Sequence, residues 1–408
     1  MHKRIVVTLA GLLLLAGCRA AEIAPPQAIA STPVESLRLV RAQNATPVPQ
    51  AVIDAADAEY VLLTNIYERM APAVVNIEIR ANHPGTDTVI DFGRGSGFVW
   101  DTQGHIVTNA HVVDGASSIE VTFNDGHIAP AELVGVDPFS DLAVIQVEAD
   151  PDRLHPVTLA DSDLVRVGQR AIAIGNPFGL ASSMTLGIVS GLGRQLPSAQ
   201  LLNADLPAGF SNPSIIQVDT DINPGNSGGP LLDSHAQVIG VNTAIRTDSG
   251  VFQGVGFAIP ANTVQRVVPE LISAGRVDYA WLGISTLLED DGYSVAALAE
   301  PLNLPVEAGV LVDRVTIGSP ADKAGLQGGQ RLEQVRGRAI CAGGDIIIAV
   351  NGRFVKNLDE LVAYLVVHSK PNDVVTLLIV RDGETFELPL TLEPRPTTDT
   401  GESVNKCS

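Results

Sequence analysis

From residue 74 onward the chain is dominated by short apolar runs separated by glycine, asparagine and aspartate, a pattern that predicts strands. A first set of runs covers 74–79, 97–100, 105–108, 119–123, 133–136 and 142–147. A second set covers 170–174, 185–190, 215–218, 230–232, 238–244 and 255–259. Regularly spaced short strands with turn residues between them indicate β-barrel architecture. Helical spacing is confined to a few segments. Over 54–70, Leu62, Leu63, Ile66, Tyr67 and Met70 fall on one face, and Ala71-Pro72 closes the segment because proline cannot continue a helix. A second helix is predicted from about 260 to 273, with Asn262 or Thr263 as N-cap and Ala274-Gly275-Arg276 as its end. A third covers 358–368, with Asn357 as its N-cap.

The two ends lack this patterning. His2-Lys3-Arg4 precedes an apolar stretch over 5–15 that is too short to span a bilayer, so residues 1–18 read as a targeting signal. The signal ends in Leu15-Ala16-Gly17-Cys18, which is similar to a bacterial lipobox and makes Cys18 the candidate lipidation site; ordinary secretion with cleavage near Ala16 or Ala20 is the alternative. One acyl chain anchors weakly, and the diacylglyceryl group of a lipoprotein supplies the second chain that stable anchoring needs. Residues 19–53, with Pro25, Pro26, Pro33, Pro47 and Pro49, read as a flexible tether, and 395–408 as a disordered tail.

Composition narrows the class. The 408 residues suit two or three domains, and 45% hydrophobic content supplies cores. Twenty-six basic against 46 acidic residues give a net charge of −20, which argues against nucleic-acid binding, since that relies on a basic face. The three cysteines have no zinc-ligand spacing, and neither a metal nor a cofactor is expected. Cys341 and Cys407 could pair in an oxidising compartment, but their approach cannot be read from the chain. No glycine-rich stretch sits in the strand–helix context of a phosphate-binding loop.

The chemistry gathers at three places. In Asn223-Pro224-Gly225-Asn226-Ser227-Gly228-Gly229-Pro230, glycines flank a serine and allow both a sharp turn and close approach of a carbonyl. Ser227 is the candidate nucleophile, and the N–H groups of Gly225 and Ser227 are the candidate oxyanion hole. His111 follows a β-rich run and Asp141 precedes one, in the order His, Asp, Ser of the chymotrypsin-like double barrel. Singly, each has an ordinary explanation: a turn, a structural histidine, a turn cap. The seven other histidines lie outside any comparable stretch, and the three motifs in order point to a Ser-His-Asp triad.

Thr108-Asn109-Ala110-His111-Val112-Val113, Ser140-Asp141-Leu142-Ala143-Val144-Ile145 and Gly225-Asn226-Ser227-Gly228-Gly229-Pro230 resemble the signatures of the HtrA (Deg) serine proteases. The similarity runs from about residue 62 to about 394. It implies a mainly β protein: a chymotrypsin-like double six-stranded β-barrel protease domain followed by an α+β PDZ domain. It further implies ATP-independent cleavage of unfolded or damaged polypeptides and assembly as a homotrimer or a multiple of trimers. The N-terminal helix contributes to that contact in the family, making Tyr60 and Tyr67 candidates, with packing on the barrel as the alternative. By the same resemblance, the S1 pocket draws on Asp221, Ile222, Thr243, Ala244 and Ile245, and P1 is small or medium aliphatic. Asp221 lies where trypsin-like enzymes carry an acid selecting Arg and Lys, so basic P1 is the competing reading and an exposed or capping aspartate the favoured one. The long loop over 192–213 corresponds to one that senses activation in the family.

Trp281-Leu282-Gly283-Ile284 resembles the carboxylate-binding loop of a PDZ domain, which captures peptide C-termini by β-augmentation, with the 358–368 helix as the other wall of the groove. Ser319-Pro320-Ala321 and Gly344-Asp345-Ile346-Ile347 extend the resemblance, while an insertion near 330–342 departs from it and either alters groove access or forms a surface hairpin. The resulting division is protease domain 54–262, helical linker 263–279 and PDZ domain 280–394. The overall expectation is a serine endopeptidase of the cell envelope, extracytoplasmic and tethered to the membrane as a lipoprotein (alternatively periplasmic or secreted). A non-proteolytic peptide-binding chaperone or sensor with a closed active site is the alternative function.

Overall fold

The computed structural model describes residues 49–82, 89–177, 179, 182–197, 211–223, 225–243, 254–287, 292–396 and 402–407. Cys18, the tether up to residue 48, and the pocket candidates Ala244 and Ile245 lie outside these residues.

Helix α1 (Gln50–Met70) begins earlier than the expected start at 54 and takes up the end of the expected tether. Alanines at 51 and 55 favour helix, and the Pro49 carbonyl accepts the Val52 N–H at 2.9 Å, so the first turn closes directly after the last proline. The predicted apolar face packs where expected: Ile66 and Met70 join Val74, Ile172, Ile174, Leu232 and Val238, with Leu62, Leu63 and Tyr67 against them. Tyr67 also donates its hydroxyl to the Ser182 carbonyl at 2.6 Å, so it serves packing within the chain, whereas Tyr60 is 69% exposed.

The strands β1 (Val74–Asn82), β2 (Val89–Val99), β3 (His105–Thr108), β4 (Ser118–Thr122), β5 (Ile128–Asp137) and β6 (Leu142–Val147) close a barrel in the order β1-β2-β3-β6-β5-β4. The short helix α2 (Ala110–Val113) follows β3. A second barrel is built from β7 (Arg170–Gly175), β8 (Ser183–Pro197), β9 (Ser211–Val218), β10 (Pro230–Leu232), β11 (Val238–Thr243) and β12 (Gly256–Pro260), ordered β10-β11-β12-β9-β8-β7. Each interior is apolar, with Ile77, Ile106, Val121, Phe123 and Ile145 in the first and Ala171, Val189, Ile216, Leu231 and Ile239 in the second. Phe98, Val107 and Leu142 of the first barrel meet Ile215, Val241 and Ile259 of the second along a seam. Val264, Val267, Val268 and Leu271 of α3 (Ala261–Ala274) cover that seam. Truncating a side chain as buried as Phe98 costs about 3–5 kcal/mol.

Helix α3 does not start on a side-chain cap as expected. Its N-cap is Pro260, Thr263 is buried, and Asn262 instead bridges outward, donating to Asp161 at 2.8 Å and accepting the Ser162 N–H at 3.1 Å. Gly275 ends the helix in the left-handed conformation, φ 73°, as expected.

The C-terminal part comprises β13 (Ala280–Trp281), β14 (Ile284–Thr286), α4 (Val295–Leu302), β15 (Val310–Thr316), α5 (Pro320–Ala324), β16 (Arg331–Val335), β17 (Arg338–Ala342), β18 (Ile346–Val350), β19 (Arg353–Phe354), α6 (Leu358–His368), β20 (Val374–Arg381), β21 (Glu384–Thr391), β22 (Glu393–Pro394) and β23 (Ser403–Val404). Its main sheet runs β14-β15-β18-β20-β21. Helix α6 has the expected bounds, and Asn357 caps it by accepting the Glu360 N–H at 2.9 Å. Leu361 and Leu365 of α6 share a core with Leu282, Val312, Ile347 and Leu377.

The insertion is a hairpin, β16–β17, turned by Arg336 and Gly337 at φ 51° and 79°. It packs Val335, Ile340 and Ala342 onto Leu298 and Leu302 of α4, so it extends the fold with a small core of its own. The expected disordered tail needs correction. Ser403–Val404 pairs with Val315 and Thr316 of β15, Lys406 donates to the Gly329 carbonyl at 2.8 Å, and Cys407 is disulfide-bonded to Cys341 with the Cα atoms 5.9 Å apart. The edge of β15 beyond β18 offers unsatisfied backbone groups, and the chain end supplies their partners.

Candidate active site

His111 and Asp141 come together because α2 leaves β3 just where the β5–β6 turn returns. Ala110 donates its N–H to the Asp141 carbonyl at 3.1 Å, and Asn109 adds its side-chain amide at 3.0 Å. These two bonds hold Asp141 in the left-handed region, φ 58°, a conformation that costs a non-glycine residue about 1–3 kcal/mol when the surroundings impose it. That backbone turns the carboxylate onto His111. The imidazole Nδ1 lies 2.9 Å from both carboxylate oxygens, and the His111 N–H reaches Oδ1 at 3.1 Å.

Asp141 is 0% exposed, so every polar contact it makes matters. Thr243, at the end of β11 in the second barrel, donates its hydroxyl to Oδ2 at 2.8 Å. Desolvation pulls the His111 pKa down, but the charge of Asp141 and its hydrogen bond outweigh this and set it above the ordinary histidine value.

Ser227 sits on a turn clamped from several sides. Asn226 donates its amide to the Asp221 carbonyl at 2.9 Å and accepts the Asn223 N–H at 2.9 Å. Ser96 donates to the Gly225 carbonyl at 2.5 Å, and its own N–H bonds the Ser227 carbonyl at 2.8 Å. Gly228 seats the turn against the segment leading to His111. A Cβ there, at φ 83°, would fall 2.2 Å from the Ser96 carbonyl oxygen and 2.4 Å from Thr108 Oγ1. Only glycine fits. Gly225 has φ 112°, and among the described residues neither its N–H nor that of Ser227 is committed to a backbone acceptor. Also among the described residues, no hydrogen bond joins the Ser227 hydroxyl to His111: two of the three triad candidates are in contact, and the turn carrying the third is bonded to Ser96.

Three of the pocket candidates are described. Ile222 is buried in the second barrel's core, and Thr243 supports Asp141. Asp221 is exposed, with its carbonyl held by Asn226 and by Thr185 at 3.0 Å. Ser96, Asn109 and Thr243 support the site in a way sequence reasoning did not assign, although Thr243 stood among the pocket candidates. Each is a small polar residue within or next to a strand, a signal too common to single out.

At the second candidate site Leu282 is buried, and Gly283 has φ 84° with no room for a Cβ, which would lie 2.1 Å from the Ser319 Cβ. The Leu282 and Gly283 carbonyls accept the N–H groups of Ala321 and Thr316, each at 2.9 Å. Trp281 pairs with Glu393, and Ile284 opens β14. Strand β14 ends its sheet, and β23 adds to the far side of β15, so one edge of β14 remains open among the described strands.

Two closed barrels, the second donating Thr243 to the histidine–aspartate pair of the first, and a PDZ-like sheet after them define a chymotrypsin-like serine peptidase with an appended PDZ-like module. Comparison agrees: residues 95–241 match the trypsin-like peptidase domain family and residues 280–392 the PDZ domain family. The chain is 41% identical over 335 residues to Protease Do-like 1, chloroplastic, of Arabidopsis thaliana, covering 81% of this chain and 71% of that one. It is 43% identical over 316 residues to a probable periplasmic serine endoprotease DegP-like of Chlamydia trachomatis, covering 78% of this chain and 57% of that protein, so it spans little more than half of that relative. Among solved structures, the HtrA-type protease AlgW with a tripeptide superposes with a TM-score of 0.62 at 33% identity, over 83% of this chain and 99% of that one. The chain belongs to the HtrA family of serine proteases.

Proposed function

We propose that the chain is an extracytoplasmic serine endopeptidase acting on unfolded or damaged polypeptides through His111, Asp141 and Ser227. The observation that carries this is the buried Asp141 carboxylate, bonded by both oxygens to His111 at 2.9 Å, with the Ser227 turn locked onto the same segment through Gly228. In the reaction, His111 Nε2 takes the Ser227 Oγ proton as Oγ bonds the scissile carbonyl carbon. The N–H groups of Gly225 and Ser227 hold the resulting oxyanion. Breakage of the C–N bond returns the proton from His111 to the departing amine. Water, deprotonated by His111, then releases the acyl group and restores the serine.

The PDZ-like module presents the open edge of β14 to peptide C-termini, with α6 as the facing wall. The exposed Asp221 fits an aliphatic P1 preference, and cleavage-site profiling dominated by Lys and Arg would overturn that. Protease domain 54–262, linker 263–279 and PDZ domain 280–394 are the working division, with assembly as a homotrimer or its multiple. Relatives named periplasmic support an extracytoplasmic location, and the lipobox at Cys18 supports a membrane tether, which Cys18→Ser would abolish in a fractionation experiment.

A second reading, a peptide-binding chaperone or sensor held shut, is favoured by one observation: the serine hydroxyl is not hydrogen-bonded to His111 among the described residues. Such contacts commonly tighten only on substrate binding. Turnover of β-casein by wild type but not by Ser227→Ala supports the peptidase. Equal turnover by the two, or none by wild type with peptide bound to the PDZ module, supports the second reading.

A further inference from the structure

The β5–β6 turn that delivers Asp141 is closed by Asp137, whose register partner is Leu142, and residues 138–141 form the connection. Asp137 is buried at 2% exposure and works as the hub of that turn. Its Oδ1 accepts the Phe139 N–H at 3.2 Å, and its Oδ2 accepts the Ser140 N–H at 3.2 Å as well as the Ser140 hydroxyl. One further donor to Oδ2 comes from far along the chain: the Tyr279 hydroxyl.

Tyr279 stands between the end of α3 and β13, at the entrance to the PDZ-like module, and is 4% exposed. Its ring meets Phe139 of the turn edge-on, with centroids 6.0 Å apart at 87°, and shares a small cluster with Val362 and Val366 of α6. The Arg266 guanidinium lies 5.6 Å from the ring centroid. One side chain therefore touches the catalytic turn with its tip and edge, and the groove helix with its flank.

We infer that Tyr279 and Asp137 are positioning residues for catalysis: the phenol fixes the Asp137 carboxylate, which fixes the N–H groups of Phe139 and Ser140 and thereby the left-handed backbone that aims Asp141 at His111. The inference rests on the catalytic roles proposed above for His111 and Asp141. Asp141 is the one residue in it with positive φ; the two bonds on its carbonyl hold it from the α2 side and Thr243 holds its carboxylate, while Asp137 holds the two residues before it. Burial, and then Asp137, push the Tyr279 phenol well above its ordinary pKa, so it stays a hydrogen-bond donor over the working range.

The test is Tyr279→Phe, which keeps the ring and its packing and removes only the hydroxyl, assayed with fluorescein-labelled β-casein beside wild type and Ser227→Ala. The expected result is a fall in kcat of about tenfold at near-constant KM, because a displaced orienting group harms the transition state more than binding. A structural role alone would not move the pH profile. Here the acid limb of kcat/KM shifts to lower pH, since a loosened Asp141 raises the His111 pKa less. Combining Tyr279→Phe with Asp137→Asn should cost little more than the worse single change, as the two act through one bond. Wild-type kcat, or a lower kcat with an unmoved acid limb, overturns the inference while leaving the peptidase reading intact if Ser227→Ala is dead. Equal turnover by wild type and Ser227→Ala overturns both.

Discussion

Replacing Thr243 by valine tests the architecture most directly, because the bond it removes crosses from one barrel to the other. Thr243 and Asp141 are both 0% exposed, and the hydroxyl donates to Oδ2 at 2.8 Å. Valine keeps the branched shape and sets a methyl group against a carboxylate that water cannot reach. A hydrogen bond to a charged group contributes about 1.5–3 kcal/mol. Asp141 retains the His111 Nδ1 and His111 N–H donors, so it stays attached to the imidazole but is free to rotate. If the whole loss falls on the transition state, kcat/KM drops about ten- to a hundredfold. That is well short of the roughly 10⁴-fold loss that Asn in place of the triad aspartate causes when the tautomer is wrong. The assay is steady-state hydrolysis of labelled casein, with a thermal melt to confirm the fold. Thr243→Ser should recover most of the activity, since a serine hydroxyl reaches the same position. If Thr243→Val keeps wild-type kcat/KM while its melt is unchanged, the second barrel does not hold the aspartate, and the account of the site is wrong.

Three further expectations follow from the structure. Activity should rise with pH through a limb lying above the ordinary histidine value, because His111 must be neutral to act as base and its folded pKa is raised; a pH profile of kcat/KM measures it. Stability moves the opposite way, since a raised folded pKa contributes stability that is fully present below the unfolded value of about 6.5 and lost as pH rises through the folded one; melts across that window of wild type against His111→Ala check the sign. Cys341→Ser should release the chain end from β15 and destabilise the C-terminal module by about 2–4 kcal/mol, given a sequence separation of 66 residues, as read by denaturant unfolding under oxidising conditions.

What could be read in the chain was local. Each barrel strand announced itself through a short apolar run bounded by turn residues, although β2, β5, β8 and β9 extend well beyond those runs, and α6 was legible because Asn357 precedes a clean helical pattern. Helix α3 was found but its cap was not, since Asn262 has a better use at Asp161 and Ser162, and tertiary bonds outrank a local cap. The insertion hairpin was legible only as one of two readings, because its two-residue turn is Arg336-Gly337 rather than the Asn-Gly or Asp-Gly that signals such turns, although the φ values are what the turn requires. The seated tail was illegible for a different reason. Ser403 and Val404 carry no strand signal of their own and pair only because β15 presents an edge there.

The proposed catalytic residues and their supports divide along the same line, between chemistry that motifs carry and support that only folding supplies. His111, Asp141 and Ser227 stand in recognisable local settings, because a nucleophile turn needs its glycines and a triad histidine needs a strand end. Thr243 and Tyr279 do not. Thr243 is separated from Asp141 by 102 positions and Tyr279 from Asp137 by 142, and nothing in their neighbourhoods marks a hydroxyl destined for a buried carboxylate. Both buried aspartates of the first barrel therefore depend on donors that arrive from later in the chain, one from the second barrel and one from the segment leading into the PDZ-like module. An isolated first barrel would leave each carboxylate short of a partner in an apolar setting, where an unmet charge is costly. Competence of the His111–Asp141 pair is thus a property of the assembled chain, which is why changes at Thr243 and Tyr279, far from that pair in sequence, should register in the kinetics of a histidine.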